Sequence, residues 1–427
     1  MDGLPDEVLL NILSFVSDAH ALLDSVPLVC WRWYRLARDR RAWVSAKLTV
    51  YTSLTDGNHA WFLASHDARV LSHAPRLRAL RLIDRKTTDP QVVRLVAALD
   101  SAGCRIDKLQ LPMLHSCRAS TAVLDALVRL VGRQPGARSL HVYLGGGVVA
   151  QAALYKLIGK LLPSVAELVL EVGNISYTTQ LQDAVAPVLR TLRWTMNSSR
   201  ELRDQPNEAL LADLLTACSS SLRHLQLPER MRLTSERPVR ALAQCEALAT
   251  LSMNAKGVDA LHGPRALREL SLHIRSSNPK NDFMAVERDL AGADLAALRD
   301  LQLSVYRYTG TDCGKVLVAL SRAAPRLRCL SVECCRSFSS TCDEKISQVL
   351  LEQEELQEVS LVAVGDVALR AVLTKRLMKV TVDAKIPAQA MDDCTDLVVS
   401  YKKKYRQSAR GDISLTPVMM SKQHITW

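Results

Sequence analysis

Aromatic residues are scarce: they make up 4% of the 427 residues, with four Phe in the whole chain. Apolar residues nevertheless reach 48%, so a core must be built from Leu, Val, Ile and Ala. Long apolar runs are missing as well. None approaches the ~18–20 residues of a membrane-spanning helix. The sequence holds no GxxxxGK[ST] loop, no HExxH and no GxSxG. Gly145-Gly146-Gly147 lacks the G-x-G-x-x-G spacing and reads as a turn. The eleven cysteines are odd in number and contain no C-x-x-C pair, so they read as small buried hydrophobes rather than a disulfide framework. Their densest group, Cys329, Cys334, Cys335 and Cys342, has no nearby His and fits no common zinc spacing. No metal, no cofactor and no catalytic residue is expected.

Charged residues at 23% and a mean hydropathy of +0.03 exclude a wholly disordered chain. The net charge of +11 is unevenly placed. Residues 1–50 balance six basic against six acidic side chains, whereas residues 375–427 hold ten against five. Such excess attracts acidic partners or serves solubility. Residues 401–427 read as a basic, flexible tail. Its Lys402-Lys403-Lys404 run, between Tyr401 and Tyr405, is too short to argue for nucleic acid. Arg410-Gly411-Asp412 is read as chance, and Thr416-Pro417 as a candidate proline-directed phosphosite. The acidic start Met1-Asp2-Gly3-Leu4-Pro5-Asp6-Glu7 is unlike a secretion signal. His424-Ile425-Thr426-Trp427 carries no lipidation or retention motif. The expected location is cytoplasmic and/or nuclear, with no membrane partner.

What the sequence does have is a repeat. The hexamer apolar-x-x-apolar-x-apolar occurs twelve times, from Leu77-Leu80-Leu82 and Ile106-Leu109-Leu111 to Leu356-Val359-Leu361 and Leu377-Val380-Val382. The first positions recur at a mean of about 27 residues, inside the leucine-rich-repeat range. Helix-like spacings lie between them, as at Leu210, Leu211, Leu214 and Leu215, at Val316, Leu317 and Leu320, and at Val123, Leu127, Leu130 and Val131. One unit buries four to six aliphatic side chains, worth roughly 6–18 kcal/mol. Ordering its backbone costs on the order of 30–50 kcal/mol. Units must therefore stack, each a strand followed by a helix. The repeats are degenerate. The ninth position is Asn or Cys only at Asn197 and Cys335, and the unit from Leu248 has 19 residues.

The first fifty residues follow another pattern. Pro5, Asp6 and Glu7 suit the start of a helix, and Leu9, Ile12, Leu13 and Val16 form a stripe at helical spacing. Pro27 is expected to start a second helix with Val29, Cys30, Trp33, Leu36 and Ala37 on its stripe. The run from Leu4-Pro5-Asp6-Glu7-Val8-Leu9 to Ile12-Leu13-Ser14-Phe15 resembles the opening of an F-box. Val29-Cys30-Trp31-Arg32-Trp33 resembles its V-C-x-x-W centre, and Trp43 its closing tryptophan. Together with the repeats, the chain resembles the F-box/leucine-rich-repeat family, the substrate receptors of SCF ubiquitin ligases.

The resemblance implies an α/β chain: a three-helix F-box at 1–48, then a leucine-rich-repeat solenoid at 49–400 with a concave parallel sheet and outer helices. It further implies that the F-box binds Skp1, and through it a cullin and a RING subunit, while the repeats recruit a protein for ubiquitination. Leu4, Pro5, Leu9, Ile12, Leu13, Val29, Cys30 and Trp33 match family positions that contact Skp1 or shape that contact. Trp31 departs from the family, which more often has a polar residue there. The chain would supply proximity and not chemistry. The alternative is a helical cap on a protein-interaction scaffold with no ubiquitination role.

For substrate, alternation along each strand places Arg81, Lys108, His141, Tyr143, Glu167, Glu171, Arg193, His224, Asn254, Glu269, His273, Asp300, Gln302, Glu333 and Glu358 on the concave side. Arg230, Lys256 and Arg275 fall at equivalent places in successive units and are candidates for an acidic or phosphorylated segment. Arg also recurs at the second hexamer position, from Arg78 to Arg328, where it reads as a solvated edge.

Overall fold

The computed structural model describes residues 3–52, 65–84, 103–110, 129, 139–144, 158–159, 162–163, 165–172, 188–196, 206–231, 233–255, 257–274, 279–290, 293–305, 313–334, 340–362, 367–368, 371–372, 379–383 and 399–400. The chain divides into two compact units, Met1–Leu251 and Ser252–Trp427.

The first unit opens with a helical module: α1 (Asp6–Ser14), short turns at Ala21–Ser25 and Val26–Leu28, α2 (Trp31–Leu36) and a turn at Arg40–Trp43. The strands follow: β1 (Lys47–Thr52), β2 (Arg76–Leu77), β3 (Ala79–Asp84), β4 (Arg105–Ile106), β5 (Lys108–Gln110), β6 (Ser139–Leu144), β7 (Glu167–Val172), β8 (Thr191–Met196) and β9 (His224–Gln226). In the main sheet β1, β3, β5, β6, β7, β8 and β9 are neighbours in chain order, all parallel, while β2 pairs with β4. Pairing aligns the fourth hexamer positions in one row: Leu48, Leu80, Leu109, Leu140, Leu168, Leu192 and Leu225. Every member is at most 2% exposed.

The strand β10 (Thr250–Asn254) carries the boundary. The second unit continues with β11 (Glu269–Ile274), β12 (Asp300–Val305), β13 (Cys329–Cys334), β14 (Glu358–Val362), β15 (Lys379–Asp383) and β16 (Val399–Ser400). They too are parallel and in register, aligning Leu270, Leu301, Leu330, Val359, Val380 and Val399. The fold is thus mixed α/β, with an N-terminal helical region and parallel strands of the leucine-rich-repeat type.

All twelve hexamers supply strands. Two further strands, β1 and β16, escaped the pattern because their first positions are Ser45 and Asp396, where the others are apolar. The helical spacings around Leu210 and Val316 form helices Pro206–Cys218 and Cys313–Ala323, with those apolar side chains buried, and a further helix, Ser340–Glu352, buries Ile346, Val349 and Leu350. Val123, Leu127, Leu130 and Val131 lie outside the described residues, as do Gly145–Gly147, Asn197, Cys335 and the tail 401–427. In the short unit from Leu248 a 3-10 turn, Val258–His262, replaces the helix. It starts from Gly257, whose φ of 108° suits glycine.

Successive repeats are also joined by a backbone pattern. In several repeats the carbonyl of the second hexamer position accepts two N–H groups from the next repeat. Arg223 and His224 donate to Arg190, Arg299 and Asp300 to Arg268, and Arg328 and Cys329 to Arg299, at 2.8–2.9 Å. The backbone there is committed to the ladder, so exposed Arg side chains are tolerated at that position.

Buried carboxylates cap helices across repeats. Glu208, on the helix Pro206–Cys218, accepts from the N–H of Thr234 (3.0 Å) and of Ser235 (2.7 Å), and from both hydroxyls at 2.8 and 2.5 Å. It thereby satisfies the first turn of the next helix, Glu236–Ala243. Asp343 does the same for Val367 and Ala368 at 2.9 and 3.2 Å. Removing such a carboxylate leaves its donors without that partner, at about 1–3 kcal/mol for a buried one such as the Ala368 N–H. Glu208→Ala is therefore expected to lower the thermal midpoint markedly and Glu208→Gln less so; equal midpoints for both variants and the parent chain would remove the capping role.

Candidate functional site: an apolar face on the helical module

The helix α1 begins after Pro5, with Asp6 and Glu7 at the positive end of its dipole. Its apolar residues divide between two faces. Leu9, Leu10 and Leu13 are buried. Val8 (41%), Ile12 (46%) and Phe15 (76%) are exposed, at i, i+4 and i+7, which places them on one outward stripe. The expected single stripe is thus corrected: Leu9 and Leu13 point inward, Ile12 outward, and Val16 is intermediate.

The second helix is corrected too. Pro27 lies inside the 3-10 turn Val26–Leu28, and α2 starts only at Trp31. Cys30 is extended, with φ −167°, and breaks the chain between turn and helix. This corner leaves Leu28 (84%), Val29 (61%) and Trp31 (77%) in solvent, together with Cys30. Trp31 stacks on Tyr34 at 5.0 Å, and Arg38 lies 4.1 Å over the Tyr34 ring.

Charge holds the two helices together. Arg32 approaches Asp6 Oδ1 at 2.7 Å and also donates to the Leu4 carbonyl, while Arg35 reaches Asp6 Oδ2 at 2.7 Å. The hydrogen bond from Arg32 is the main cause that holds the Asp6 carboxyl below its usual range. Because the folded-state pKa is lowered, this contribution is present above the usual carboxylate range and lost as pH falls through it. On the inner side, buried Trp43 donates its Nε1–H to the Ala37 carbonyl at 2.6 Å. The Lys47 N–H donates to the Ser17 carbonyl at 2.7 Å, and Asp18 bridges Lys47, so the module covers the edge strand β1.

Of the eight residues expected to meet Skp1, Leu4, Pro5, Ile12, Val29 and Cys30 are exposed and Trp33 is half-buried. Leu9 and Leu13 are buried, at 1% and 2% exposed, and hold α1 in place. The sequence reading missed Val8, Phe15 and Leu28. The first two were legible as a second stripe four and seven residues apart, but Leu28 sits in a turn without period.

On the strands, Arg230 is exposed in the turn after β9, whereas Lys256 and Arg275 lie outside the described residues. Arg81, Lys108, Arg193 and His224 are exposed on the open side as expected. Asn254 and His273 are not: they are buried at 3% and 8%, next to buried Ser304, and His273 Nε2 lies 3.2 Å from Ser252 Oγ. At the seventh hexamer position Asn254, His273 and Ser304 form a short polar interior row. Buried cysteines behave as hydrophobes, with the Cys104 and Cys245 thiols pushed up to about 12 by burial.

A family model described as F-box-like matches residues 1–48, the segment that carries this apolar face. No curated protein matches the chain. Among solved structures, the crystal structure of a TLR13–ssRNA13 complex is similar at 12% identity and a TM-score of 0.34, over 78% of this chain. The match spans about half of that protein, 51%.

Core and face separate by mutation. Leu13→Ala is expected to cost about 2–5 kcal/mol of stability. Ile12→Asp and Leu28→Asp should each stay within about 0.5 kcal/mol of the parent chain. Chemical denaturation of the three variants checks this, and a loss of 2 kcal/mol or more at Leu28 would mean that the face is part of the core.

Proposed function

We propose that the chain is the substrate-recognition subunit of an SCF-type ubiquitin ligase, working in the cytoplasm and/or nucleus. The helical module docks on Skp1, Skp1 joins it to a cullin and a RING subunit, and the repeats hold the protein to be ubiquitinated. F-box-like domains generally bind Skp1, and F-box and leucine-rich-repeat architectures are generally non-catalytic adaptors or scaffolds.

The observation that carries this reading is the two-sided apolar character of α1 and the corner at Leu28–Trp31. A module serving only as a cap would cover β1 with its inner face and present a polar outer one. Here the outer face carries Val8, Ile12, Phe15, Leu28, Val29 and Trp31. Full burial of one such side chain is worth about 1.5–3 kcal/mol, and a cluster of exposed apolar groups marks an interaction surface. On this reading Leu4, Pro5, Ile12, Val29, Cys30 and Trp33 join these residues in or beside the contact, with Leu9 and Leu13 behind them. The chain contributes no catalytic residue; it raises the effective concentration of substrate beside the ligase machinery.

Capture experiments test the assignment. The parent chain should retain Skp1 and cullin together. Ile12→Asp with Leu28→Asp should weaken Skp1 capture at least tenfold while the thermal midpoint holds. Skp1 binding should also slow alkylation of Cys30, mapped by mass spectrometry. Skp1 without cullin points to the scaffold alternative, and undiminished capture by the double variant refutes the docking face.

A further inference from the structure

The strands beside the helical module carry uncompensated positive charge on the open side of the sheet. Register fixes its layout. Lys47 lies opposite Ala79, and because Leu80 pairs with Leu109, Ala79 lies opposite Lys108. Two residues further along, Thr49, Arg81 and Gln110 form the next row. Neighbouring strands are about 4.8 Å apart, so two lysines flank the methyl group of Ala79, and Arg81 stands about 6.6 Å along the strand. The small Ala79 leaves a hollow of about 580 Å³, lined also by Arg78 and Asp107.

Among the described residues these cations have no internal use. Among the described residues Lys47, Arg78, Arg81 and Lys108 make no ion pair, and all four are exposed. The carboxylate in the lining, Asp107, is already held by Arg76 at 2.6 Å. The excess ends at the next strands, where Glu171 faces His141 at 3.9 Å and Glu167 faces Arg193 at 3.6 Å. His141 registers the field: burial lowers its pKa most, Glu171 opposes, and Lys108 and Arg81 add to the lowering.

We infer that this hollow over β1, β3 and β5 receives a phosphorylated side chain of the recruited protein, an inference that rests on the substrate-receptor reading. Four unpaired cations around a small floor exceed what one carboxylate needs, and they match a phosphoryl group of about −1.5 to −2 charge with three acceptor oxygens. Thr49 and Gln110 add neutral polar groups at the rim. Among the described residues the lining holds no aromatic ring on which a nucleobase would stack, which favours a protein segment over a nucleic acid.

The test uses the full chain and fluorescently labelled degenerate peptide pools, one containing phosphoserine and phosphothreonine and a matched pool without phosphate. The phosphorylated pool should bind at least tenfold more tightly and be displaced by inorganic phosphate. Arg81→Glu with Lys108→Glu should reduce it to the level of the unphosphorylated pool, and the milder Arg81→Gln with Lys108→Gln should weaken it in the same direction, which guards against misfolding of the reversed variant. Skp1 capture should be unchanged in both. Phosphopeptide binding that survives charge reversal overturns the inference, as does tighter binding of an oligo-dT strand than of the phosphorylated pool. Loss of Skp1 capture by the parent chain, with phosphopeptide binding intact, removes the receptor reading and leaves the anion site standing.

Discussion

The structure depends on one constraint: no repeat can bury its own apolar surface. The row Leu48, Leu80, Leu109, Leu140, Leu168, Leu192 and Leu225 has almost no solvent contact because each member is covered by its neighbours across the sheet. The backbone repeats the same dependence, since the second-position carbonyls of Arg190, Arg223, Arg268, Arg299 and Arg328 are satisfied by the repeat that follows. Glu208 and Asp343 extend it to the helices, where a carboxylate of one repeat caps the helix of the next. Apolar burial, strand pairing and helix capping thus all run between repeats, and stability is a nearest-neighbour property.

A nearest-neighbour architecture has to end somewhere. At its start the exposed edge of β1 is met by Ser17 and Asp18 of the helical module. The module therefore has two duties on two faces. Leu9, Leu10, Leu13, Leu36 and Trp43 face inward and give the cap its own core. Val8, Ile12, Phe15, Leu28 and Trp31 face outward and bring nothing to that core. The Arg32–Asp6–Arg35 link explains how so small a module keeps these duties separate. It pins α2 to the start of α1 through charge, so the outward apolar groups need not collapse onto each other to hold the helices together.

Most of the strand architecture was legible from sequence because its signal is repeated. Among the described residues positions four and six enter the core unit after unit, so a single polar substitution does not hide the period. Where one position decides, legibility fails. Ser45 and Asp396 concealed β1 and β16, since the hexamer is recognised by its first residue while the strand needs only the fourth and sixth. Asn254 and His273 were placed on the open face by alternation, yet they are interior, because alternation gives the side a residue points to and not how deeply that side is covered. The docking face was half legible. A search for one apolar stripe on α1 found its inner residues and Ile12. The outer stripe uses the same residue types at the same period, shifted by one position, and composition cannot tell the two apart. Leu28 and Val29 owe their exposure to the extended backbone at Cys30, which a helix starting at Pro27 does not anticipate.

The two proposed surfaces obey different physics. The outer face of the helical module works by removing apolar area from water, a gain that mobile ions barely screen. The hollow over β1, β3 and β5 works by charges at the surface, whose attraction decays within about 8 Å at physiological ionic strength. On the proposed reading, affinity for the adaptor would be insulated from salt and from the charge state of the recruited protein, while affinity for that protein would respond to both. The arrangement suits a receptor whose attachment to its machinery is constant and whose cargo is chosen by modification. Both surfaces are set by the same few strands and helices of the first unit: β1 is covered by the module on its edge and contributes Lys47 and Thr49 to the hollow on its open side. A change that displaced β1 would disturb attachment and selection together, whereas changes on the two outer surfaces act separately.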